Sequence, residues 1–266
     1  MADSEPHMVA QSEARVRPAA IPVWSYLERK LRKRGNRLRT AWRERMQPDI
    51  IRLGGVRIPI DRALYSDKII RRLYDGGYER EERDALVRTL RPADRVLELG
   101  AGIGYLSAVA AGRIGSGRVT TCEANPQLLP AIARVHELND VRPRVLHGVM
   151  SERGDIDRCH FYKHRNFWSS SLQKPEGQYE IVSVPVLHWQ SELARLEPSY
   201  LVMDIEGGEV DLLEHFRGAS VERMLIEFHP RKTGQAGVDR VLERLAAQGF
   251  GAARVEPGAH IYYFER

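Results

Sequence analysis

The chain alternates short apolar runs with longer segments in which apolar residues recur every three or four positions. Short apolar runs bounded by turn residues predict buried strands, and the longer spacing predicts amphipathic helices. Seven strands are predicted in this way, at residues 95–99, 118–123, 144–149, 200–204, 223–228, 251–255 and 261–264. The helices predicted between them cover residues 106–114, 127–138, 209–216 and 238–248. This alternation indicates an α/β fold in which helices cover both faces of a mostly parallel sheet.

The two ends of the chain depart from this alternation. Before the first strand, an extended stretch at 51–59 precedes two predicted helices at 67–73 and 81–90. At the other end, only five residues separate the last two strands, and four of them, at 256–259, form a predicted turn. So short a connection predicts an antiparallel hairpin that closes the sheet.

The connection between the third and fourth strands, residues 150–198, is far longer than a compact sheet needs. Strand-like alternation at 179–186, followed by a short helix around Trp189, predicts an inserted hairpin within it. We expect this hairpin to stand over the carboxyl edge of the sheet, where open α/β folds bind their ligands.

Several polar and aromatic side chains of the insertion are candidates for contact with a substrate. They are Asn166, Trp168 and Ser170. Trp168 fits a small core within the insertion equally well, because aromatic side chains bury large apolar areas. For Phe161 and Trp189 we favour that core interpretation.

Composition indicates one enzyme-sized domain with a short appendage. The 266 residues are 42% hydrophobic and 29% charged, which is enough for one substantial core. Only Cys122 and Cys159 occur, so a disulfide scaffold is excluded and a reducing compartment is favoured. The sequence has neither a signal-peptide pattern nor an apolar run long enough to cross a membrane. We expect a soluble, cytoplasmic protein.

The net charge of +5 belongs to one segment, because residues 24–45 contain nine Lys or Arg and two Glu. Apolar residues recur in this segment at helical spacing, and they are Trp24, Leu27, Leu31, Leu38 and Trp42. We therefore predict a disordered tail at 1–20, a basic amphipathic helical arm at 21–50 and a single domain at 51–266. The arm either packs its apolar stripe against the domain, which we favour, or contacts an anionic membrane peripherally. No nucleic-acid partner is expected.

A glycine-rich turn follows the first strand of the sheet. Its small residues, Gly100, Ala101, Gly102 and Gly104, allow a ligand to approach the backbone closely. A dinucleotide site requires the spacing G-x-G-x-x-G, whereas here the third glycine comes one residue early and Tyr105 stands in its place. With Glu98 two residues before the first glycine, the turn reads E-x-G-x-G-x-G. This form resembles the first motif of class I S-adenosylmethionine-dependent methyltransferases.

A second acidic landmark is Glu123, at the end of the second strand. A carboxylate there can accept both ribose hydroxyls of a bound adenosine, although it could instead cap the helix that follows. The resemblance places the methionine and ribose moieties against the glycine turn and Tyr105, with Ala124 beside Glu123. The third strand ends without an acidic residue, so we expect the backbone of Val149 or Met150 to contact the adenine. Glu98 either orients the turn or receives the amino group of the cofactor.

A third acidic segment follows the fourth strand. Asp204 and Glu206 alternate along an extended backbone and therefore point the same way, as Glu227 and His229 do on the neighbouring strand. Methyl transfer to a hydroxyl requires positioning of the acceptor and removal of its proton. We predict Asp204 at the junction of cofactor and substrate, with Glu206 or His229 as the proton acceptor.

Alternatives stay open for this segment. Glu209 either contacts the substrate or is a first-turn helix residue that favours the helix dipole. Glu227 could simply pair with Arg223 or Arg231. Asp204, Glu206 and His229 could also hold a divalent cation, but no metal-ligand spacing demands it and we predict no metal.

The body of the chain also resembles one particular family, the FkbM-type methyltransferases, from about Gly55 to the C-terminus. The resemblance rests on separated segments at residues 77–79, 97–106, 169–172, 200–213 and 225–230. It implies a Rossmann-like seven-stranded sheet, S-adenosylmethionine as the cofactor, and Tyr78 and Glu79 near the substrate. It also implies O-methylation of a sugar, glycolipid or natural product.

The sequence thus favours a methyltransferase that acts on a small-molecule or carbohydrate acceptor. Two other classes stay open. One is a non-catalytic or decayed binding protein recruited through its basic arm. The other is a dinucleotide-dependent oxidoreductase, against which the glycine spacing argues.

Overall fold

The structure is a computed structural model that describes residues 37–164, 179–256 and 258–266. It begins with helix α1 at residues 37–46, followed by the antiparallel hairpin of β1 (Ile50–Leu53) and β2 (Val56–Pro59). Helices α2 (Asp67–Asp75) and α3 (Arg80–Thr89) come next. The predicted helices here are confirmed, and the extended stretch at 51–59 turns back on itself because Gly54 and Gly55 adopt positive φ values.

Seven strands form the main sheet, as predicted. They are β3 (Val96–Leu99), β4 (Val119–Glu123), β5 (Arg144–His147), β9 (Tyr200–Met203), β10 (Arg223–Glu227), β11 (Gly251–Arg254) and β12 (Ile261–Glu265). Their spatial order is β11-β12-β10-β9-β3-β4-β5. The five neighbouring strands β10, β9, β3, β4 and β5 run parallel to one another. Strand β12 is antiparallel to both β10 and β11. The closing hairpin is therefore confirmed.

Helices cover both faces of this sheet. They are α4 (Tyr105–Ile114), α5 (Leu129–Leu138), α6 (Trp189–Leu196), α7 (Glu209–Glu214), α8 (Pro230–Thr233) and α9 (Gln235–Ala247). Successive strand residues enter two different buried clusters: Val202 packs with α4 and α5, whereas Leu201 and Met203 pack with α7 and α9. The short α8 is the one helix of this set that the sequence pattern did not predict.

The inserted segment forms a small three-stranded sheet. The predicted third strand divides at Gly148: β5 stays in the main sheet, while β6 (Val149–Ser151) pairs with β8 (Tyr179–His188). A Cβ at Gly148 would lie 2.8 Å from the carbonyl oxygen of Pro185, so the close approach of β8 requires glycine. Strand β7 (Arg158–His164) pairs antiparallel with β8, which confirms the inserted hairpin.

The two aromatic residues assigned to a core within the insertion have different positions. Phe161 packs with Val149 and Val184 in the small core of the insertion, as predicted. Trp189 belongs to the main core instead, where its ring lies against Phe216 and its indole N–H donates to the Leu212 carbonyl at 3.1 Å. The core assignment of Trp189 within the insertion was therefore wrong, because α6 turns this side chain toward the main sheet.

The described part of the arm contradicts the favoured packing of its apolar stripe. Leu38 is 68% exposed and Trp42 is 57% exposed. Arg43 turns inward instead and donates to the Tyr74 carbonyl oxygen at 2.9 Å and to that of Arg52 at 3.3 Å. Trp24, Leu27, Leu31 and the predicted tail at 1–20 lie outside the described residues, so the division at 1–20, 21–50 and 51–266 stays a prediction. None of the described helices has the length and apolar character needed to cross a membrane.

Candidate active site

A cavity of about 460 Å³ opens at the carboxyl ends of the central strands. It lies where open α/β sheets bind ligands, because the loops after adjacent parallel strands separate there. Ten of the residues proposed from sequence line it: Tyr78, Glu79, Gly100, Gly102, Glu123, Ala124, Val149, Met150, Asp204 and Glu206. The structure thus brings together segments that are more than one hundred residues apart in the chain.

The glycine turn forms one wall of the cavity. Gly100 has a φ of +87°, and a Cβ there would lie 1.7 Å from the backbone carbonyl oxygen of Asp204. Gly102 has a φ of +54°, and its Cβ would lie 2.8 Å from the Tyr78 hydroxyl oxygen. Gly104 has a different role, since a Cβ there would press on Ile132 and separate α4 from α5. Only the first two glycines line the cavity formed by the described residues.

Glu123 connects the glycine turn to the second strand. Its Oε2 accepts the backbone N–H of Gly102 at 3.0 Å, and its Oε1 accepts that of Asn125 at 2.7 Å. Burial raises the pKa of Glu123 to about 7, although these backbone hydrogen bonds oppose the shift. The carboxylate is fixed at the cavity wall, and it also holds the start of the following loop. The structure therefore shows that Glu123 supports the following loop, and the ribose contact stays a prediction that its position at the cavity wall allows.

Besides Gly104, three residues proposed as cofactor contacts do not line the described cavity, and they are Glu98, Ala101 and Tyr105. The Glu98 carboxylate is buried below the turn, where it accepts the hydroxyl of Thr121, and burial raises its pKa to about 7. The Tyr105 hydroxyl lies 3.4 Å from a guanidinium nitrogen of Arg83. Their position beneath the turn fits support of its shape, so of the two roles left open for Glu98 the structure favours orientation of the turn.

Tyr78 and Glu79 approach the cavity from the start of α3. Their side chains hydrogen bond to each other, and burial raises the pKa of both groups well above their usual values. Glu79 has a φ of +43°, a conformation that is unfavourable for a residue with a side chain. Such backbone strain persists where the surrounding structure enforces it, which is common at functional sites.

Opposite the glycine turn, carboxylates surround an imidazole. Nδ1 of His229 lies 2.9 Å from Glu209 Oε1, and its Nε2 lies 3.7 Å from Asp204 Oδ1 and 3.5 Å from Glu206 Oε2. Lys232 on α8 donates to Glu206 Oε2 at 2.6 Å. We call Asp204, Glu206, Glu209 and His229 the acid–imidazole cluster.

Glu209 supports this cluster from within the protein. Its side chain is fully buried, and Oε1 also accepts the backbone N–H groups of Ile205 at 3.3 Å and Gly207 at 3.0 Å. Neither Glu209 nor His229 lines the described cavity. The structure therefore does not favour the predicted contact of Glu209 with the substrate. Its carboxylate instead holds the strand-to-helix turn and the imidazole ring of His229.

The cluster shifts the pKa values of Asp204 and His229. Burial raises the pKa of Asp204 to about 8 despite the neighbouring His229, and Glu206 and Glu209 add to the increase. Burial alone would lower the pKa of His229, but the hydrogen bond to Glu209 and the nearby carboxylates raise it to about 9. The cluster thus favours a positive charge at the imidazole.

Two further buried carboxyl groups lie below Asp204. Glu82 on α3 and Glu227 on β10 hydrogen bond to each other, and burial raises the pKa of both, to about 10 for Glu227. The alternative that Glu227 pairs with Arg223 or Arg231 is not found among the described residues, and Arg223 instead forms a buried ion pair with Asp94. Sequence reasoning missed Glu82, since its helix reads as an ordinary charged surface helix.

The cavity has a rim that the sequence did not reveal. Arg153 comes from the loop after β6, and Asp211, Glu214 and His215 come from α7 and its end. Helical spacing after Gly207 and Gly208 could have indicated the α7 residues, because positions 211, 214 and 215 share one face of a helix. Asn166, Trp168 and Ser170 lie outside the described residues.

The fold and the cavity define a Rossmann-like α/β protein with a ligand site at the carboxyl edge of its sheet. A sequence model of the Methyltransferase FkbM domain matches residues 98–251, which is more than half of the chain. The chain belongs to this methyltransferase family, as the resemblance implied.

Comparison with single proteins finds more limited similarity. The chain is 45% identical over 64 residues to the ribosomal protein L11 methyltransferase of Thermus thermophilus, and the match covers 24% of each chain. It is also similar to the crystal structure of a methyltransferase FkbM from Methylobacillus flagellatus, with a TM-score of 0.42 and 16% identity over 76% of this chain and 56% of that one.

A third similarity is to the tRNA (uracil-54, C5)-methyltransferase of Pyrococcus abyssi in complex with S-adenosyl-L-homocysteine, with a TM-score of 0.44 and 10% identity over 82% of this chain and 43% of that one. The chain thus spans less than half the length of the first-named curated relative and of this structure.

Proposed function

We propose that the protein transfers a methyl group from S-adenosylmethionine to a hydroxyl oxygen of a sugar, glycolipid or natural product. The observation that carries the proposal is the arrangement of one cavity, with the glycine turn and Glu123 on one wall and Asp204 and Glu206 on the other. The first wall suits a nucleoside and its attached amino acid. The second offers carboxylates to an acceptor hydroxyl.

The reaction is an in-line displacement at carbon, so positioning and exclusion of water provide most of its acceleration. A lone pair of the acceptor oxygen forms the new O–CH₃ bond while the C–S bond breaks, and the bonding electrons stay on sulfur as S-adenosylhomocysteine leaves. The hydroxyl proton passes to the Asp204 carboxylate. We prefer Asp204 over His229 as the proton acceptor because Asp204 lines the cavity, whereas His229 lies behind it.

Glu206 and His229 then act around Asp204. Glu206 lines the cavity and is held by Lys232, which donates both to its carboxylate and to its backbone carbonyl oxygen at 3.1 Å. His229 faces both carboxylates through Nε2. A positioned general base contributes roughly 10²- to 10⁴-fold to such reactions, so loss of the Asp204 carboxylate should reduce turnover by that order.

Cofactor binding is tested by calorimetric titration of the full chain with S-adenosylhomocysteine and, separately, with a nicotinamide dinucleotide. We expect saturable binding of the first ligand and none of the second. Dinucleotide binding without S-adenosylhomocysteine binding would establish the oxidoreductase alternative and remove the proposal.

Activity is tested with isotopically labelled S-adenosylmethionine and extracts of source cells that lack the protein. Mass spectrometry should find a hydroxylated small molecule or glycolipid that gains one labelled methyl group. Asp204→Asn should bind S-adenosylhomocysteine normally but lose the transfer, while Glu243→Gln on the exposed face of α9 should retain it. Cofactor binding with no labelled product in any extract would support the non-catalytic alternative.

A further inference from the structure

The acid–imidazole cluster brings three ligand-type atoms close together. Asp204 Oδ1, Glu206 Oε2 and His229 Nε2 all lie within 4.8 Å of one another. Divalent cations bind carboxylate oxygen and imidazole nitrogen at about 2.0–2.6 Å, so atoms at opposite sides of one cation lie about 4–5 Å apart. The spacing of the three atoms therefore admits one shared cation.

The hydrogen bonding of His229 defines which of its nitrogens is available. Glu209 Oε1 already accepts two backbone N–H groups, and as a carboxylate oxygen it can only accept from His229 Nδ1. Nε2 must then face Asp204 and Glu206 either as a second N–H or with a bare lone pair. A bare lone pair directed at two carboxylates needs a positive charge between them.

A second observation points to a ligand at the same place. Asp204 Oδ1 is buried and, within the described part of the chain, has no hydrogen-bond partner. Leaving a buried carboxylate oxygen unsatisfied costs free energy, so such an atom calls for an explanation. A metal ion at Oδ1 supplies the missing partner. The exposed part of the Asp204 side chain remains on the cavity side.

The charges around these three atoms also suit a divalent cation. When all three are ionised, the carboxylates of Asp204, Glu206 and Glu209 bring three negative charges, and Lys232 on Glu206 returns one positive charge. A carboxylate oxygen has two lone pairs, so Glu206 Oε2 can accept a hydrogen bond from Lys232 and coordinate a cation at the same time. Glu209 hydrogen bonds to Nδ1 of His229, which leaves Nε2 to face the candidate cation position. In many metal sites a carboxylate orients a ligating histidine in this way.

We propose that Asp204 Oδ1, Glu206 Oε2 and His229 Nε2 form a binding site for a divalent cation such as Mg²⁺ or Mn²⁺, with Glu209 as the positioning residue for His229. The remaining coordination positions take water or the acceptor hydroxyl, which brings the reacting oxygen beside the Asp204 carboxylate. Asp204 Oδ2 remains for the proton. The role of the cation in the reaction rests on the proposed function, but its binding does not.

The test measures Mn²⁺ binding to the full chain by electron paramagnetic resonance and Mg²⁺ binding by calorimetry, each in the presence of S-adenosylhomocysteine. We expect one saturable Mn²⁺ per chain, which Mg²⁺ displaces. Asp204→Asn and His229→Gln should each lose the saturable binding, and Glu209→Gln should weaken it by about tenfold. Asp211→Asn, which removes a cavity carboxylate outside the cluster, should retain it.

Circular dichroism and S-adenosylhomocysteine affinity establish that each variant is folded. The proposal would be overturned if no saturable Mn²⁺ binding were found, or if the wild type and folded His229→Gln bound Mn²⁺ equally. The positive charge between the carboxylates would then come from a proton on His229 Nε2. Methyl transfer that is undiminished by excess chelator would exclude the cation from the reaction while the proposed function stands. Failure of S-adenosylhomocysteine to bind would remove the proposed function, and the Mn²⁺ titration would still decide the cation site.

Discussion

Gly100 and Asp204 are in direct backbone contact at the centre of the site. The carbonyl oxygen of Asp204 occupies the space next to Gly100 so closely that a Cβ there would lie 1.7 Å from it. The contact arises because Leu99 and Met203 are partners in adjacent parallel strands, so the chain leaves both strands at the same level. The position of the glycine turn and the position of the acid–imidazole cluster are thus set by one contact.

Gly100→Ala should therefore reduce both stability and cofactor affinity. The positive φ alone costs a residue with a side chain on the order of 1–2 kcal/mol, and relief of the clash must move one strand end. Chemical denaturation and titration with S-adenosylhomocysteine measure the two effects. Gly112→Ala in α4 is the matched control, because nothing lies within 4 Å of its Cβ position, and it should stabilise by about 0.5–1 kcal/mol. Equal behaviour of the two variants would refute the contact.

Glu123 should make cofactor binding depend on pH. Its pKa of about 7 is raised by burial, and only the carboxylate accepts hydrogen bonds from both ribose hydroxyls. The affinity for S-adenosylhomocysteine should therefore rise as pH increases from 6 to 8, by roughly tenfold for one titrating group. Glu123→Gln should bind more weakly and lose most of this dependence. Calorimetry at three pH values decides the matter, and an unchanged slope in the variant would assign the titration to another group.

His136 should make folding stability depend on pH in the acid range. Burial between α4 and α5 lowers its pKa to about 4, and its Nε2 hydrogen bonds to the Ser107 hydroxyl at 3.0 Å. Below pH 6.5 the unfolded chain binds a proton that the folded chain excludes, so stability falls as pH decreases from about 6.5 to 4. The loss over this range should be about 2–3 kcal/mol, since one unit of pKa difference corresponds to about 1.4 kcal/mol.

Urea denaturation of His136→Asn at pH 7 and pH 5 should show a smaller difference between the two pH values than in the wild type, whatever the absolute stability of the variant. His260→Gln, at an exposed position, should keep the wild-type difference. If His136→Asn kept the wild-type difference in unfolding free energy between pH 7 and pH 5, the pH dependence would not arise from His136.

The exposed face of α1 predicts peripheral attachment to anionic lipid. Leu38, Trp42 and Met46 are 57–68% exposed and are four residues apart, and the exposed Arg37 and Arg45 lie on the same helix. The full chain should sediment with vesicles rich in phosphatidylserine, and less so at high salt. Trp42→Ser should reduce this binding by several-fold, whereas Ile181→Ser, at an equally exposed apolar position on β8, should not. Equal sedimentation with neutral vesicles would exclude an electrostatic contribution.

The central strands could be predicted because their residues are buried on both sides, so β9 reads as a continuous apolar run and β3 as an apolar run that only Glu98 interrupts. The division at Gly148 could not, because it depends on β8, which approaches from more than thirty residues away. Among the site residues, those on strand ends were predictable from their position alone. The coupling of Glu209 to His229 and of Glu82 to Glu227 required the tertiary structure, since each pair joins segments that are distant in sequence.

The direction of the α1 side chains shows the same limit. Helical spacing identified the stripe of Leu38 and Trp42, but it does not indicate which face of the helix packs against the rest of the protein. The carbonyl groups of Arg52 and Tyr74 require a donor, and Arg43 supplies it, so the helix is rotated with its apolar stripe outward. A buried polar requirement thus overrode the hydrophobic pattern.

Strand β6 is both the cofactor-side wall of the cavity, through Val149 and Met150, and a member of the sheet that carries the inserted hairpin. An acceptor that contacts β7 or β8 would therefore act on the same strand for which we predict contact with the cofactor. Thermodynamic linkage then requires that the acceptor and the cofactor change each other's affinity by one common factor. We therefore predict that the two binding events are coupled at Gly148, where the chain passes from the main sheet into β6.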